Sequence, residues 1–337
     1  MRWLLSSSLL LSLFAACSSE AAEAKADPLK APLGLESLEL VANPENPLTL
    51  AKAELGKQLF FDARLSGSGT MSCNSCHYPE QAFTDGKAVS KKDDGKDNTR
   101  NSPTMHNVGY LDRLYWDGRA KSLEGNVLAA WKAQLGGKPD EVAGKLAAVP
   151  DYQKAFQAAF GAAPSETTIV QALASFLRQL RSGDSAYDRF QAGQKDALSD
   201  AAKAGRELFV GKAGCAICHL PPLFTNRGFH NVGIGMAAEK PDVGAAGKAA
   251  FDDPARTGQF KTPTLRDVAK TAPYFHDGSV ATLRDAVKLM ASGGLANPQK
   301  DATLQDKKLS DAEIDQLVAF LESLSGNVAF VPPTVPK

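Results

Sequence analysis

The chain has 337 residues, with 38 Lys+Arg set against 38 Asp+Glu and a formal net charge of zero. That balance excludes a polybasic face, so no nucleic-acid partner is expected, and a composition 43% apolar and 23% charged excludes wholesale disorder. Aromatic residues make up only 7% and long Val/Ile/Thr runs are scarce, which predicts a mostly α fold, at this length in two domains.

In chain order, residues 1–16 read as a secretory signal peptide: Arg2, a short Ser-rich apolar stretch, then Leu13-Phe14-Ala15-Ala16. The stretch is too short to span a bilayer as a mature helix. Small residues directly before Cys17 resemble a bacterial lipoprotein signal, in which Cys17 becomes the acylated N-terminus; plain secretion is the alternative. The expected location is the periplasm, with the membrane met only through that lipid anchor. Residues 17–47, rich in Ala, Ser, Glu and Pro, are expected to form a tether with little to bury.

The other four cysteines are all used in one way. Cys73-Asn74-Ser75-Cys76-His77 and Cys215-Ala216-Ile217-Cys218-His219 are both C-x-x-C-H, the attachment pattern of a c-type haem. Two thiols one turn apart add to the two vinyl groups of one haem, and the adjacent histidine is placed to ligate its iron. A zinc site or a redox pair explains two C-x-x-C pairs but not a histidine after both, in an exported chain. The expectation is therefore two covalent haems, on Cys73, Cys76 and His77 and on Cys215, Cys218 and His219.

The motifs sit in an internal repeat. Gly56-Lys57-Gln58-Leu59-Phe60 precedes the first and Gly205-Arg206-Glu207-Leu208-Phe209 the second. Pro103-Thr104, Val108, Asp117-Gly118 and Leu123 recur 160 residues later, without a gap, as Pro263-Thr264, Val268, Asp277-Gly278 and Leu283. This predicts two cytochrome c-like haem domains, residues 48–195 and 196–330, with the boundary near residues 190–198. Ser165, Ser199, Ser279 and Ser310 read as helix N-caps, Ser310 with Glu313 as a capping box.

The repeat also shows an asymmetry. An iron held by one histidine needs a sixth ligand to carry electrons and an open position to do chemistry. Met290 lies on a predicted helix 71 residues beyond His219, and the matching position in the first copy is Ala130. On this reading the second haem is ligated by His219 and Met290 and is low spin, and the first, on His77, is open. Met236, 18 residues after Cys218, is the competing ligand.

At these residues the chain resembles the bacterial dihaem cytochrome c peroxidases and the related MauG-type enzymes, which oxidise residues of a partner protein. The resemblance covers nearly the whole chain after Leu48 and rests on LFFDARLSGSGTMSCNSCH, AFTDG, TRNSPT, YWDGRAKSLE, FKTPTLRDVAKTAPYFHDG and Met290. It implies that Trp116 relays electrons between the haems and that Asn101, with the carbonyls of Thr271 and Pro273, holds a calcium ion. It also implies a small cytochrome c or cupredoxin as electron donor, hydrogen peroxide as substrate, and a homodimer as one available assembly. The electron-transfer haem of the family is His/Met in the peroxidases and His/Tyr in the MauG type, so Met290 favours the peroxidase side.

Two departures stand out. No histidine occupies residues 78–105, where many of these peroxidases carry a removable distal ligand, and His106 is expected to have a surface or structural role. The distal Gln and Glu of the family fall on Asn126 and Gly136, so acid/base work passes to Gln134, Glu124, water or nothing. The residues expected to serve catalysis are Trp116, Asn126 and Gln134; His230 and His276 are expected to be hydrogen-bonding scaffold. Three functions follow in order: a peroxidase, a MauG-like enzyme oxidising Tyr or Trp of a partner protein, and a dihaem electron carrier without catalysis.

Overall fold

The computed structural model describes residues 30–37, 43–328 and 330–337. The signal peptide and Cys17 lie outside the described residues. Among those residues, no helix is long and apolar enough to cross a membrane.

The fold is mostly α, as the composition predicts. Its helices are α1 (Leu50–Phe60), α2 (Leu123–Ala133), α3 (Pro139–Ala147), α4 (Pro150–Phe160), α5 (Glu166–Gln179), α6 (Ala186–Gln191), α7 (Asp200–Val210), α8 (Leu283–Ala291) and α9 (Asp311–Glu322). Two short strands, β1 (Phe229–His230) and β2 (Phe260–Lys261), pair antiparallel. Ser165, Ser199 and Ser310 cap α5, α7 and α9, each accepting a backbone N–H from the first turn. Ser279 does not cap α8. Thr282 does, because Asp277-Gly278 first closes a turn in which the Ser279 N–H donates to Asp277 Oδ1, and the helix starts only beyond it.

Each half is built on one tight helix crossing. A Cβ added at Gly56 of α1 would lie 1.9 Å from the Ala172 carbonyl of α5, and one at Gly205 of α7 would lie 1.9 Å from the Gln316 carbonyl of α9. Only glycine permits those approaches, which explains the repeated Gly ahead of both haem motifs. Below each crossing stands a cluster of three phenylalanines, Phe60, Phe83 and Phe176 in the first half and Phe209, Phe224 and Phe320 in the second, packed edge to face.

The repeat extends to backbone detail. Leu114 bridges to Ala120 and Tyr274 to Val280. Asn107 and Asp267, matched in sequence, both adopt φ near +60°, at 64° and 59°. The halves are joined by buried polar contacts: Arg266 donates to both carboxylate oxygens of Asp188 at 2.8 and 2.9 Å, and His106 Nδ1 lies 2.8 Å from Asp267 Oδ2. His106 is thus a buried structural residue rather than a surface one.

The expected tether is corrected over its described part. Arg181 donates to the Lys30 carbonyl, Arg266 to that of Gly34 and the Tyr110 hydroxyl to that of Glu36, while Leu35 packs with Tyr110 and Leu223. Residues 30–37 are docked across both halves through their backbone oxygens, which composition does not reveal.

Candidate haem sites

The first motif opens with a short 3₁₀ turn, Cys73–Ser75, fixed by a reciprocal bond between Ser72 and Ser75. His77 follows, and its Nδ1 lies 2.7 Å from the Phe83 carbonyl. A carbonyl has no proton to give, so Nδ1 carries the hydrogen and Nε2 keeps its lone pair for a metal. The second motif repeats this: a turn at Cys215–Ile217, then His219 with Nδ1 2.8 Å from the Phe224 carbonyl. Burial pushes the His219 imidazole down to about 4 and lowers that of His77 as well, so both rings are neutral, the form that ligates iron.

Both carbonyls come from strained turns. Phe83 has φ +58° and Phe224 φ +54°, a region that costs a bulky residue on the order of 1–3 kcal/mol. Each turn is pinned from the repeated Pro-Thr: Thr104 Oγ1 donates to the Ala82 carbonyl and Thr264 Oγ1 to the Leu223 carbonyl, both at 2.6 Å.

None of these four cysteines is joined in a disulfide. Burial pushes Cys73 up to about 12 and Cys215 up to about 11, the reverse of the stabilised thiolate that a redox pair requires. No group of three or more His, Cys, Asp or Glu able to hold a metal ion occurs among the described residues, which speaks against a zinc site made of the two pairs. Cys73, Cys76 and His77 line a mainly apolar pocket together with Asn126, Val127, Ala130 and Trp131 of α2 and Gln134 just beyond it. Thiols, neutral histidine and an apolar cavity together fit a covalent haem.

Comparisons with known proteins agree. Residues 50–196 match the family described as di-haem cytochrome c peroxidase, and residues 202–325 the family described as cytochrome c. The methylamine utilization protein MauG of Methylophilus methylotrophus is 38% identical over 298 residues, covering 87% of this chain and 88% of that protein. This chain belongs to the di-haem cytochrome c peroxidase and MauG family. The cytochrome-c peroxidase IdrP1 of Denitromonas iodatirespirans is 36% identical, covering 94% of this chain and 92% of that protein. A solved MauG-like protein associated with microbial copper homeostasis superposes with a TM-score of 0.79 at 33% identity, over 85% of this chain and 92% of its own.

As a di-haem family member the chain carries two c-type haems. Ala130 and Met290 hold the same position in α2 and α8, the eighth residue of each helix. Met236 packs its sulfur against Gly258, where an added Cβ would lie 2.5 Å away. Trp116 stands at the junction of the halves: its Nε1–H donates to the Asn101 carbonyl at 3.0 Å, and its own carbonyl accepts from the Lys261 N–H of β2 at 2.8 Å. Asn101 in turn donates its backbone N–H to the His276 carbonyl at 2.7 Å, which draws it to the loop that contains Thr271 and Pro273.

Asn126 and Gln134 both face the first cavity, and Glu124 does not. Glu124 is held by Arg178 at 2.7 and 3.0 Å and by Asn46 at 2.8 Å; burial works to raise its carboxyl, but those donors hold it below the ordinary value. It is a structural anion. His230 is paired to Asp301, with Nδ1 2.5 Å from Oδ2, and His276 stacks on Phe260 with ring centroids 3.7 Å apart.

Sequence reasoning missed Phe83 and Phe224 as the partners of the motif histidines His77 and His219. The signal was present: Phe-Thr follows both motifs, as Phe83-Thr84 and Phe224-Thr225. The acceptor is a backbone carbonyl, however, and no side-chain pattern marks it as functional. Trp131, which lines the cavity and donates from Nε1 to the Leu65 carbonyl at 2.7 Å, was also missed.

Proposed function

We propose that the chain reduces hydrogen peroxide to water in the first half, with electrons taken up in the second half from a small cytochrome c or cupredoxin. The observation that carries this reading is the pairing of Ala130 with Met290, which puts an alanine in the pocket of the first motif at the helix position where the second half has a methionine. The balance is one peroxide, two electrons and two protons giving two waters. Bound haem supplies the iron at which peroxide is cleaved and the electrons are delivered.

The residues of the chain bind, orient and relay. Asn126 and Gln134 present amide groups to the cavity, able to hydrogen-bond both oxygens of a peroxide, while the apolar walls exclude bulk water. Neither amide titrates, so protons arrive through water, and turnover is slow for a peroxidase. Met290 would hold the iron of the second haem together with His219, and a thioether ligand would raise its potential and suit it to accept electrons. Ile217 and Leu220, 63% and 49% exposed on either side of His219, offer the donor an apolar landing surface. Trp116, hydrogen-bonded into both halves, is the relay between them. Calcium on Asn101 and the carbonyls of Thr271 and Pro273 would stiffen that junction. The exported location, with Cys17 as lipid anchor, belongs to the same proposal.

A second reading is favoured by the 38% identity to a methylamine utilization protein MauG and by the absence of a carboxylate at Gly136: the oxidising equivalents then leave through Trp116 to Tyr or Trp residues of a partner protein. Steady-state turnover with peroxide and reduced cytochrome c decides. Saturable oxidation of the cytochrome supports the peroxidase; peroxide consumption only when a partner protein is present supports the second reading.

A further inference from the structure

In each half the phenylalanine that holds the axial histidine is braced by a ring delivered on a crossing segment. Beyond α5 the chain passes Asn107, whose Oδ1 accepts the Ser182 N–H at 3.0 Å, and places Tyr187 edge-on to Phe224 and Phe320, with centroids 5.1 and 5.8 Å away. Beyond α9 it passes Asp267, whose Oδ1 accepts the Gly326 N–H at 3.0 Å, and places Phe330 edge-on to Phe83, with centroids 5.3 Å apart at 86°. Each of these rings is the eighth residue after the end of its helix. The crossing is reciprocal: Tyr187, near the end of the first half, joins the second core, and Phe330, at the end of the second half, joins the first.

Phe330 is secured where it lands. It stacks on Phe61 at 5.8 Å, Lys57 Nζ stands 5.1 Å over its ring, and Arg64 donates to the Pro336 carbonyl further along. Phe83 also meets His106, with ring centroids 5.6 Å apart. Phe83 is fully buried with a left-handed backbone, so the orientation of its carbonyl depends on what its ring is packed against. The direction of that carbonyl sets the strength of the His77 Nδ1–H bond, and hence the basicity of the imidazole and the potential of the iron it ligates.

We propose that Phe330 and Tyr187 are positioning residues for the axial histidines, Phe330 acting on His77 through Phe83 and Tyr187 on His219 through Phe224. This rests on the haem reading of the two Cys-x-x-Cys-His motifs. Its consequence is that the C-terminal segment tunes the first haem although it follows the second.

The test uses the full-length dihaem protein with Phe330→Leu and Tyr187→Leu, which keep an apolar side chain but remove the ring. The midpoint potentials of the two haems are titrated separately and their ferric electron paramagnetic resonance signals recorded. Phe330→Leu should shift the potential and signal of the first haem and leave the second unchanged; Tyr187→Leu should do the reverse; Tyr187→Phe, which retains the ring, should match the wild type. If a leucine variant does not accumulate with both haems, Phe330→Met and Tyr187→Met give the same readouts. Both potentials unchanged, or both haems moved alike by one variant, overturns the proposal. A wild-type protein lacking two distinct haem signals overturns the haem reading instead, before any variant is compared.

Discussion

Met290 and Ala130 are structural counterparts, each the eighth residue of a helix that opens on a hydroxyl cap, Thr282 for α8 and Ser122 for α2. Ala130 faces the cavity of the first haem motif and has nothing to offer an iron. The ferric protein should therefore hold one high-spin and one low-spin haem in equal amounts, and cyanide should bind without prior reduction. Ala130→Met should convert the first haem to low spin and abolish cyanide binding. Met290→Ala should abolish the weak sulfur-to-iron absorption at the red edge of the visible spectrum, whereas Met236→Ala should leave it. Two low-spin haems in the wild type would sink the assignment of an open site.

Gln134 and Glu124 make opposite predictions for the same chemistry. Glu124 is neutralised by Arg178 away from the cavity, so Glu124→Gln should leave peroxide turnover within about twofold of wild type while removing on the order of 1.5–3 kcal/mol of stability, the worth of a hydrogen bond to a charged group. Gln134→Glu places a titratable carboxyl on the cavity wall at nearly constant shape. Because a positioned acid or base contributes roughly 10²–10⁴-fold, kcat with peroxide should rise by at least about tenfold. Stopped-flow turnover and urea unfolding of the two variants check both statements; unchanged turnover in Gln134→Glu removes Gln134 from the catalytic set.

Much of this arrangement was legible in the sequence because it is repeated. The gapless offset between Pro103 and Pro263 placed Ala130 against Met290, and the matching segments that open on Gly56 and Gly205 paired α1 with α7, although the tight crossings those glycines permit were not readable from the sequence. What escaped was carried by backbone. The carbonyls of Phe83 and Phe224 hold the histidines of the two Cys-x-x-Cys-His motifs, and those of Lys30, Gly34 and Glu36 dock a segment whose composition reads as tether. Phe330 lies in a Pro-rich stretch with no periodicity, so its insertion into the first core left no pattern to read.

Gly205→Ala tests the crossing of α7 and α9 directly. The new methyl would meet the Gln316 carbonyl at 1.9 Å and the Phe320 Cβ at 2.9 Å, so the helices must separate. Overpacking of this kind costs about 1–3 kcal/mol, and more where backbone must move. The second half should lose stability by at least that amount in denaturant titrations followed through its own haem absorbance, with the first haem retained. A variant as stable as wild type would show that the crossing has slack.

Asp267 should give the protein an acid-labile link between its halves. Burial works to raise its carboxyl, but the hydrogen bond and charge of His106, with Ser182 and Lys270, hold it down at about 2 from an ordinary 3.8. A depressed carboxyl contributes stability that is fully present above its unfolded value and is lost as pH falls through the folded one. The contribution is about 2 kcal/mol near neutral pH, disappearing between about pH 4 and pH 2. Asp267→Asn should be less stable than wild type at pH 7 by about that amount, with the difference shrinking to near zero toward pH 2, as read by urea unfolding at stepped pH. A difference that stays constant with pH would assign the loss to packing.

Trp116→Phe separates relay from scaffold. Phenylalanine keeps a ring at the junction but is far harder to oxidise, and it removes the N–H that satisfies the Asn101 carbonyl at 3.0 Å. Loss of that one neutral hydrogen bond with its acceptor left partly buried costs about 1–3 kcal/mol, too little to separate halves that are also joined by Arg266 with Asp188 and by His106 with Asp267. The variant should therefore keep both haems and the wild-type spin states. Reduction of the second haem by cytochrome c should remain fast, and the following transfer to the first haem should slow by at least about tenfold, roughly 1.4 kcal/mol in the barrier. Rapid mixing that resolves the two haem absorbances measures the steps separately. Equal rates in wild type and variant would assign transfer to a route that bypasses the indole, leaving Trp116 as the hydrogen-bonded hinge between Asn101 and β2.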